Sequence, residues 1–493
     1  MKRLIALMLL ALAAAPLSAQ EVTATAQDQQ VSPPAPAAPR EAKLPQPVEK
    51  TLANGLRVIV VPKHDIPLVA ATLMFKTGAE ADPANRPGLA QLTANVLTKG
   101  TKTRTAEEIA RGVEALGATI EASAGWDQSS IDLSVMASNF TKALVFVGDV
   151  ARNATFSKEE VDLQRSQTVD SLQVALRQPR TLGSYVMSKL LFAGQPYGHP
   201  AEGTPKSLEK IKREDLVAFH KANYRPDNAV FVVAGDIEPD AVFNAAQQQF
   251  GSWARGTATK TTMTAATTAK PASPRVVVVD LPDAGQAMVV VGRQGIRRTD
   301  PNYFPAIVSN SVLGGGYSAR LNQEIRIKRG LSYGSNSSFS ARRNAGPFLA
   351  STQTKNESAA EVAGITLDEM ARMGATDVPD TELTPRKAVL IGGFARSLET
   401  SSGIVNQVAT LALNDLPLTD INRYISGVQA VNAEAVRGFA GKNFAGSDAS
   451  VVIVGDAKKF IEPLRKRFPD VEVIPVSQLD LDASGIRERK AKQ

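Results

Sequence analysis

The chain repeats itself. The stretch "DLPDAGQAMVVVGRQGIRRTDPNYFPAIVSNSVLGGG" runs parallel to the earlier "VAATLMFKTGAEADPANRPGLAQLTANVL", and the match sets Asp82-Pro83 against Asp300-Pro301, 218 residues later. A second anchor agrees: "VFVVAGD", ending at Asp236, is answered by "VVIVGD", ending at Asp456, 220 residues on. Two anchors at nearly one offset imply a duplicated domain rather than one long irregular fold. Each copy mixes strands with helices and shows no strict βαβ alternation. The expected class is therefore α+β, two tandem homologous domains, each an antiparallel-rich mixed sheet with helices packed on it. At 43% hydrophobic residues the chain has enough apolar side chains for two cores.

The flanks divide the rest. "MKRLIALMLLALAAAPLSAQ" has a basic start in Lys2 and Arg3, an apolar run from Leu4 to Ala15 and small residues before a cut after Ala19. This reads as a secretory signal peptide over 1–19, and an exported, periplasmic protein is expected. Residues 20–44 form an Ala- and Pro-rich tether with too little to bury. An N-terminal domain over 45–253 comes next, then a polar linker at 254–273, a C-terminal domain over 274–475 and a charged tail at 476–493, whose end "IRERKAKQ" is expected to fray. No later segment reaches the roughly 18 apolar residues of a membrane span.

Composition removes several functions. There is no cysteine, hence no disulfide framework and no thiolate for catalysis or zinc. The 56 Lys and Arg against 49 Asp and Glu are scattered and lack interleaved aromatics, so nucleic acid is not an expected partner. The three histidines, His64, His199 and His220, show no metal-ligand spacing.

Local patterns fix several elements. Asn54-Gly55 signals a type I′ hairpin leading into the β-branched run Val58 to Val61, and a meander of strands is expected after it. "TRTAEEIARGVEALGA" is a helix capped by Thr105 and ended by Gly117, and "TIEASAGWDQSSIDLSVMA" alternates as two strands. In "GLAQLTANVLTKGT", Leu89, Leu92 and Val96 share one helical face while Gln91, Asn95 and Thr98 share the other. Side chains at i and i+4 on one face are the geometry of half a zinc site, but here both are neutral amides. "LNQEIRIKRGLSYGSNSSFS" reads as a helix with Leu321 and Ile325 inward, a stop at Gly330 and a strand from Leu331. "LGGGYS" lacks the Gly-Lys-Ser/Thr ending of a phosphate loop, and close approach of backbone to a neighbour is the expected use of its glycines.

The order "NGLRVIVV", "GAEADP", "RPGLA", "TKGTKTRT", "PYGHPAEGT", "NYRPDNAVFVVAGD" and "GGGYSARLNQEIRIKRGLSYG" resembles the M16 (insulinase or pitrilysin-like) zinc peptidases across both halves. That resemblance implies an inverted H-x-x-E-H zinc motif in the first domain and a distal Glu ligand. Carried over, the first His falls on Gln91, the general-base Glu on Ala94, the second His on Asn95 and the distal Glu on Ser171, beside Asp170. All four positions are changed, so no zinc is expected in this chain. The family's second-domain Arg and Tyr, which reach the substrate carbonyl and the developing oxyanion, fall on Arg326 and Tyr333. The resemblance therefore implies a non-catalytic subunit, inactive alone, that binds peptide substrates and pairs with a zinc-bearing M16 subunit. A metal-free structural, assembly or peptide-binding protein on the same fold is the alternative.

Overall fold

The computed structural model describes residues 46–256, 273–483 and 485–487. The leader at 1–19, the tether at 20–44, residues 257–272 of the linker and the last six residues of the tail lie outside them. No helix among the described residues is long and apolar enough to cross a membrane.

Among the described residues twelve strands form two six-stranded sheets. The first contains β1 (Val48–Thr51), β2 (Arg57–Pro62), β3 (Leu68–Phe75), β4 (Thr119–Ala124), β5 (Ser129–Met136) and β6 (Ala229–Gly235), in the order β1-β2-β6-β3-β5-β4. The second contains β7 (Val276–Asp280), β8 (Ala287–Gln294), β9 (Ser335–Phe339), β10 (Pro347–Thr354), β11 (Ser450–Gly455) and β12 (Glu472–Pro475), in the order β12-β7-β11-β8-β10-β9. Five strands correspond one to one: β2 with β7, β6 with β11, β3 with β8, β5 with β10 and β4 with β9. Only the outer edge differs, β1 being antiparallel to β2 while β12 is parallel to β7. β2 runs parallel to β6, and β7 to β11; the other pairs of these five-strand sets are antiparallel. The two halves are thus copies of one antiparallel-rich α+β domain.

The strands do not run as a meander. β2 and β3 are consecutive in sequence, but β6 inserts between them. Its run "AVFVVAG" is buried throughout, and a segment apolar on both faces belongs at a sheet centre. The Asn54-Gly55 hairpin also differs from type I′, which needs positive φ at both residues. Only Gly55 has it, at +91°. Asn54 is instead held by the end of the Pro239–Phe250 helix, donating to Phe250 O at 2.6 Å and Trp253 O at 3.1 Å. The turn therefore closes one residue earlier, with Gly55 N–H donating to Leu52 O at 2.8 Å.

Both faces of each sheet are covered, from different sources. Val58, Val60, Leu73, Phe75, Phe231 and Val233 face helices of the first half. The alternate residues, Ile59, Val61, Ala70, Met74, Val230 and Val232, pack against the Ser401–Leu413 helix of the second half through Ile404, Val405 and Val408. The reverse also holds: the Pro179–Leu191 helix of the first half lays Leu182, Val186 and Met187 on Val277, Met288, Val290 and Val452 of the second sheet. Its Gly183 permits the approach, since a Cβ there would stand 3.2 Å from Val290 Cγ2. Pro179 and Ser401 are 222 residues apart, so the exchanged helices are themselves repeat equivalents. Both halves belong to one compact unit. The tail adds to it: Leu481 and Ile486 are buried in the same cluster as Leu182, while the basic end expected to fray lies, after Arg487, outside the described residues.

Candidate functional site

The helix that aligns with the zinc motif spans Leu89–Val96. Its start is fixed from outside, by Asp82, whose Oδ2 accepts Gly88 N–H at 2.7 Å and whose Oδ1 accepts Ala90 N–H at 2.8 Å. These are donors that a helix leaves unpaired at its N-terminus. Burial pushes the Asp82 carboxyl up to about 7, against the backbone hydrogen bonds that favour its charge. Leu89, Leu92 and Val96 are buried as their spacing requires. On the other face Gln91 and Asn95 satisfy each other, Gln91 Nε2 donating to Asn95 Oδ1 at 3.1 Å. Between them Ala94 is fully buried.

These residues do not fit zinc. Its ligands are imidazoles, thiolates and carboxylates, and a mutually bonded amide pair offers none of them. Ala94 has no atom that accepts a proton. Ser171 and Asp170 stand exposed on the Lys158–Ala175 helix, which packs against the Leu89–Val96 helix. Among the described residues no three His, Cys, Asp or Glu side chains come together in a way that could hold a metal. The histidines are engaged elsewhere. His64 Nδ1 lies 2.7 Å from Asp236 Oδ1, His199 Nδ1 is 2.9 Å from Pro200 O, and His220 Nε2 is 2.9 Å from Ala151 O. Burial pushes His220 down to about 4.

The second candidate region is built differently. The chain around Arg326 is not a regular α-helix: Arg320–Asn322 is one turn of α, and Gln323–Ile327 is a turn of π-helix closed by Lys328 N–H donating to Gln323 O at 2.9 Å. Such widened turns occur often at functional positions. Gly330, at φ +63°, ends the segment. The strand starts at Ser335 rather than at Leu331, because Ser332 first folds its Oγ onto Gly334 O at 2.8 Å and Gln353 O at 2.7 Å. Tyr333 therefore sits in a turn, 89% exposed, and does not pack in the sheet. The Arg326 guanidinium lies over the ring of Tyr317, 4.8 Å from its centroid.

Tyr333 and Tyr317 border one cavity of about 380 Å³, together with Arg180, Gln286, Asn336 and Gln353. Arg326 stacks on Tyr317 and does not line it. Sequence reading misses Tyr317 and Arg180. The GGG run before Tyr317 does mark a close approach: Gly314 O accepts Ser337 N–H at 2.9 Å, and a Cβ on Gly314 would stand 2.4 Å from that nitrogen.

A largely buried polar cluster also joins the halves. Tyr197 Oη donates to Asp127 Oδ1, and Arg343 N–H donates to Asp127 Oδ2 at 3.0 Å. The Arg342 guanidinium lies between Trp126 and Tyr197, 4.7 and 4.6 Å from their centroids. Glu80 Oε2 accepts Gly78 N–H at 2.7 Å, and Arg343 lies 3.7 Å from Oε1. Burial, with the Asp127 charge adding to it, pushes the Glu80 carboxyl up to about 8.

Comparison with known proteins agrees with this architecture. Residues 57–204 match the family model for insulinase (peptidase family M16), and residues 210–390 match that for the peptidase M16 inactive domain. An uncharacterized zinc protease of Mycobacterium tuberculosis is 26% identical over 405 residues, spanning 82% of this chain and 92% of that protein. One of Bacillus subtilis is 24% identical over 398 residues, spanning 80% and 95%. Among solved structures, a peptidase M16 inactive domain from Pseudomonas fluorescens superposes with a TM-score of 0.77 at 27% identity, covering 83% of this chain and 98% of that one. A protease from Helicobacter pylori shares the fold with a TM-score of 0.77 at 19% identity, covering 84% and 100%. With two copies of one α+β domain in tandem, and two models of the same family matching residues 57–204 and 210–390, the chain belongs to the M16 (insulinase) peptidase family.

Proposed function

We propose that this chain is a non-catalytic subunit of an exported M16 peptidase assembly. It helps to enclose and bind peptide substrate, and it supplies Arg326 and Tyr333 to the site of a zinc-bearing partner. The observation that carries this reading is a contrast within one chain. The four positions that would hold and use zinc carry Gln91, Ala94, Asn95 and Ser171, while the Arg and Tyr of the second half are kept and Tyr333 is largely presented to solvent. An exposed phenol in a turn can donate a hydrogen bond to a developing oxyanion, and a guanidinium can orient a peptide carbonyl. Neither role needs a base on this chain.

The test is turnover by a complex reconstituted with the host's H-x-x-E-H subunit, complex formation being measured separately. Tyr333→Phe removes one donor and keeps the ring, and should lower turnover about 100- to 1000-fold with assembly intact. Arg326→Ala should weaken substrate binding as well as rate. Wild-type rates from both variants in an intact heterodimer would overturn the proposal. They would favour the second reading, a metal-free structural, assembly or peptide-binding protein. The stacking of Arg326 on Tyr317 speaks for that reading, because it already gives the guanidinium a partner.

A further inference from the structure

Tyr317 and Tyr333, 74% and 89% exposed, are the two aromatic side chains among the described residues that stand largely in water. Both border the same cavity. Aromatic rings are normally the first groups a fold buries, and where they stay exposed together with arginine they mark contact surfaces. The backbone that carries the rings is held in place. Asn322 donates through Nδ2 to Tyr317 O and accepts Ser335 N–H on Oδ1 at 3.2 Å, fastening the Tyr317 loop to the end of the Tyr333 turn. Gln353 Nε2 donates to Gln286 Oε1 at 2.9 Å and joins β10 to the residue before β8. The cavity is pre-shaped.

Its charge is one-sided. Among the described residues Arg180 is the only charged one of the lining, it is exposed, and no carboxylate pairs with it. It lies in the first turn of the Pro179–Leu191 helix, where the helix dipole disfavours a cation, so helix stability does not account for it. Arg326, stacked on the Tyr317 ring, adds a second positive charge. The acid nearest to it in sequence, Glu324, is already engaged by Lys328 and Arg329.

We infer that this cavity is a subsite for an anionic group of a bound peptide, an acidic side chain or a C-terminal carboxylate, received by Arg180 and flanked by Tyr317 and Tyr333. A guanidinium presents a planar fork of donors that matches a carboxylate, and the two rings supply walls for the adjoining chain. The inference rests on the peptide-binding reading above and names the chemistry that it selects. Arg180 comes from the first half and the tyrosines from the second, so the subsite exists only where the exchanged helix meets the other sheet.

The test uses the full chain without its partner, so its outcome is separate from that of the turnover assay. Calorimetry measures binding of four short peptides of one sequence: Glu-bearing with an amidated end, Gln-bearing with a free carboxylate, Gln-bearing and amidated, and Lys-bearing and amidated. One or both anionic peptides should bind about tenfold tighter than the neutral one, and which of them does so identifies the source of the carboxylate. Arg180→Gln should bring the anionic peptides to the neutral value and leave the neutral peptide unchanged. Arg177→Gln, three residues before it, should preserve the preference. Tyr317→Ala should weaken all four peptides. Equal affinities for all four, an equal loss for all four in Arg180→Gln, or no binding up to millimolar peptide would overturn the inference. Unfolding midpoints matching wild type would show that each variant is folded.

Discussion

Glu80 should make this protein less stable as pH rises through neutrality. Its side chain is 1% exposed, and its carboxyl is pushed up to about 8 from an ordinary 4.5. In the unfolded chain the proton leaves near 4.5; in the folded chain it stays until about 8. Between these values the native state holds a proton that the unfolded state has released, so stability falls with increasing pH. The full slope is about 1.4 kcal/mol per pH unit, or roughly 3 kcal/mol between pH 5.5 and 8 for this one group. Glu80→Gln isolates the effect: the amide oxygen can still accept Gly78 N–H, while the charge can no longer form. Thermal or urea unfolding across pH 5.5 to 8.5 is the assay. Wild type should lose stability over that range and Glu80→Gln should lose distinctly less. A wild-type profile that is flat or rises, or an unchanged slope in Glu80→Gln, would refute the reasoning and show that Arg343 holds the carboxylate charged.

Metal analysis of the purified chain should find no stoichiometric zinc, and the double variant Gln91→His/Asn95→His should bind it weakly without peptide turnover, because Ala94 still cannot take a proton. Chelator-sensitive cleavage by that variant would mean that the base lies elsewhere. Truncation after residue 475 should remove Leu481 and Ile486 from their cluster and lower stability by about 2 to 5 kcal/mol, read from denaturant midpoints. An unchanged midpoint would make the tail an ornament of the surface.

Much of the fold is legible in the sequence because duplication writes the same constraints twice. The Asp236 and Asp456 anchors end β6 and β11, the two equivalent central strands. The Thr105 cap reads correctly too, since its partner Glu108 lies three residues away and closes a capping box. What escapes is whatever depends on distant chain. The Pro179–Leu191 helix, not singled out by sequence reading, is one such case: Leu182 and Val186 find their partners, Val290 and Val452, in the other half. The zinc-motif positions can be traced because i and i+4 lie one turn apart in any α-helix, and Gln91 and Asn95 do meet. The cavity cannot, because Arg180 and Tyr317 converge only through the exchanged helix. The strand begins later than its pattern suggests because Ser332 competes for the backbone acceptors Gly334 O and Gln353 O, which a regular pattern leaves out of account.

The reciprocal exchange of the Pro179–Leu191 and Ser401–Leu413 helices has a consequence for what a cut can do. Cleavage between residues 254 and 273 would break the covalent path, yet each fragment would still carry the cover of the other's sheet. The nicked pair should therefore co-elute as one particle and part only in denaturant. Produced alone, either fragment would offer an uncovered apolar sheet face and an orphaned helix, the makings of an aggregate. The two halves can be written as separate genes, but they cannot be folded in separate tubes.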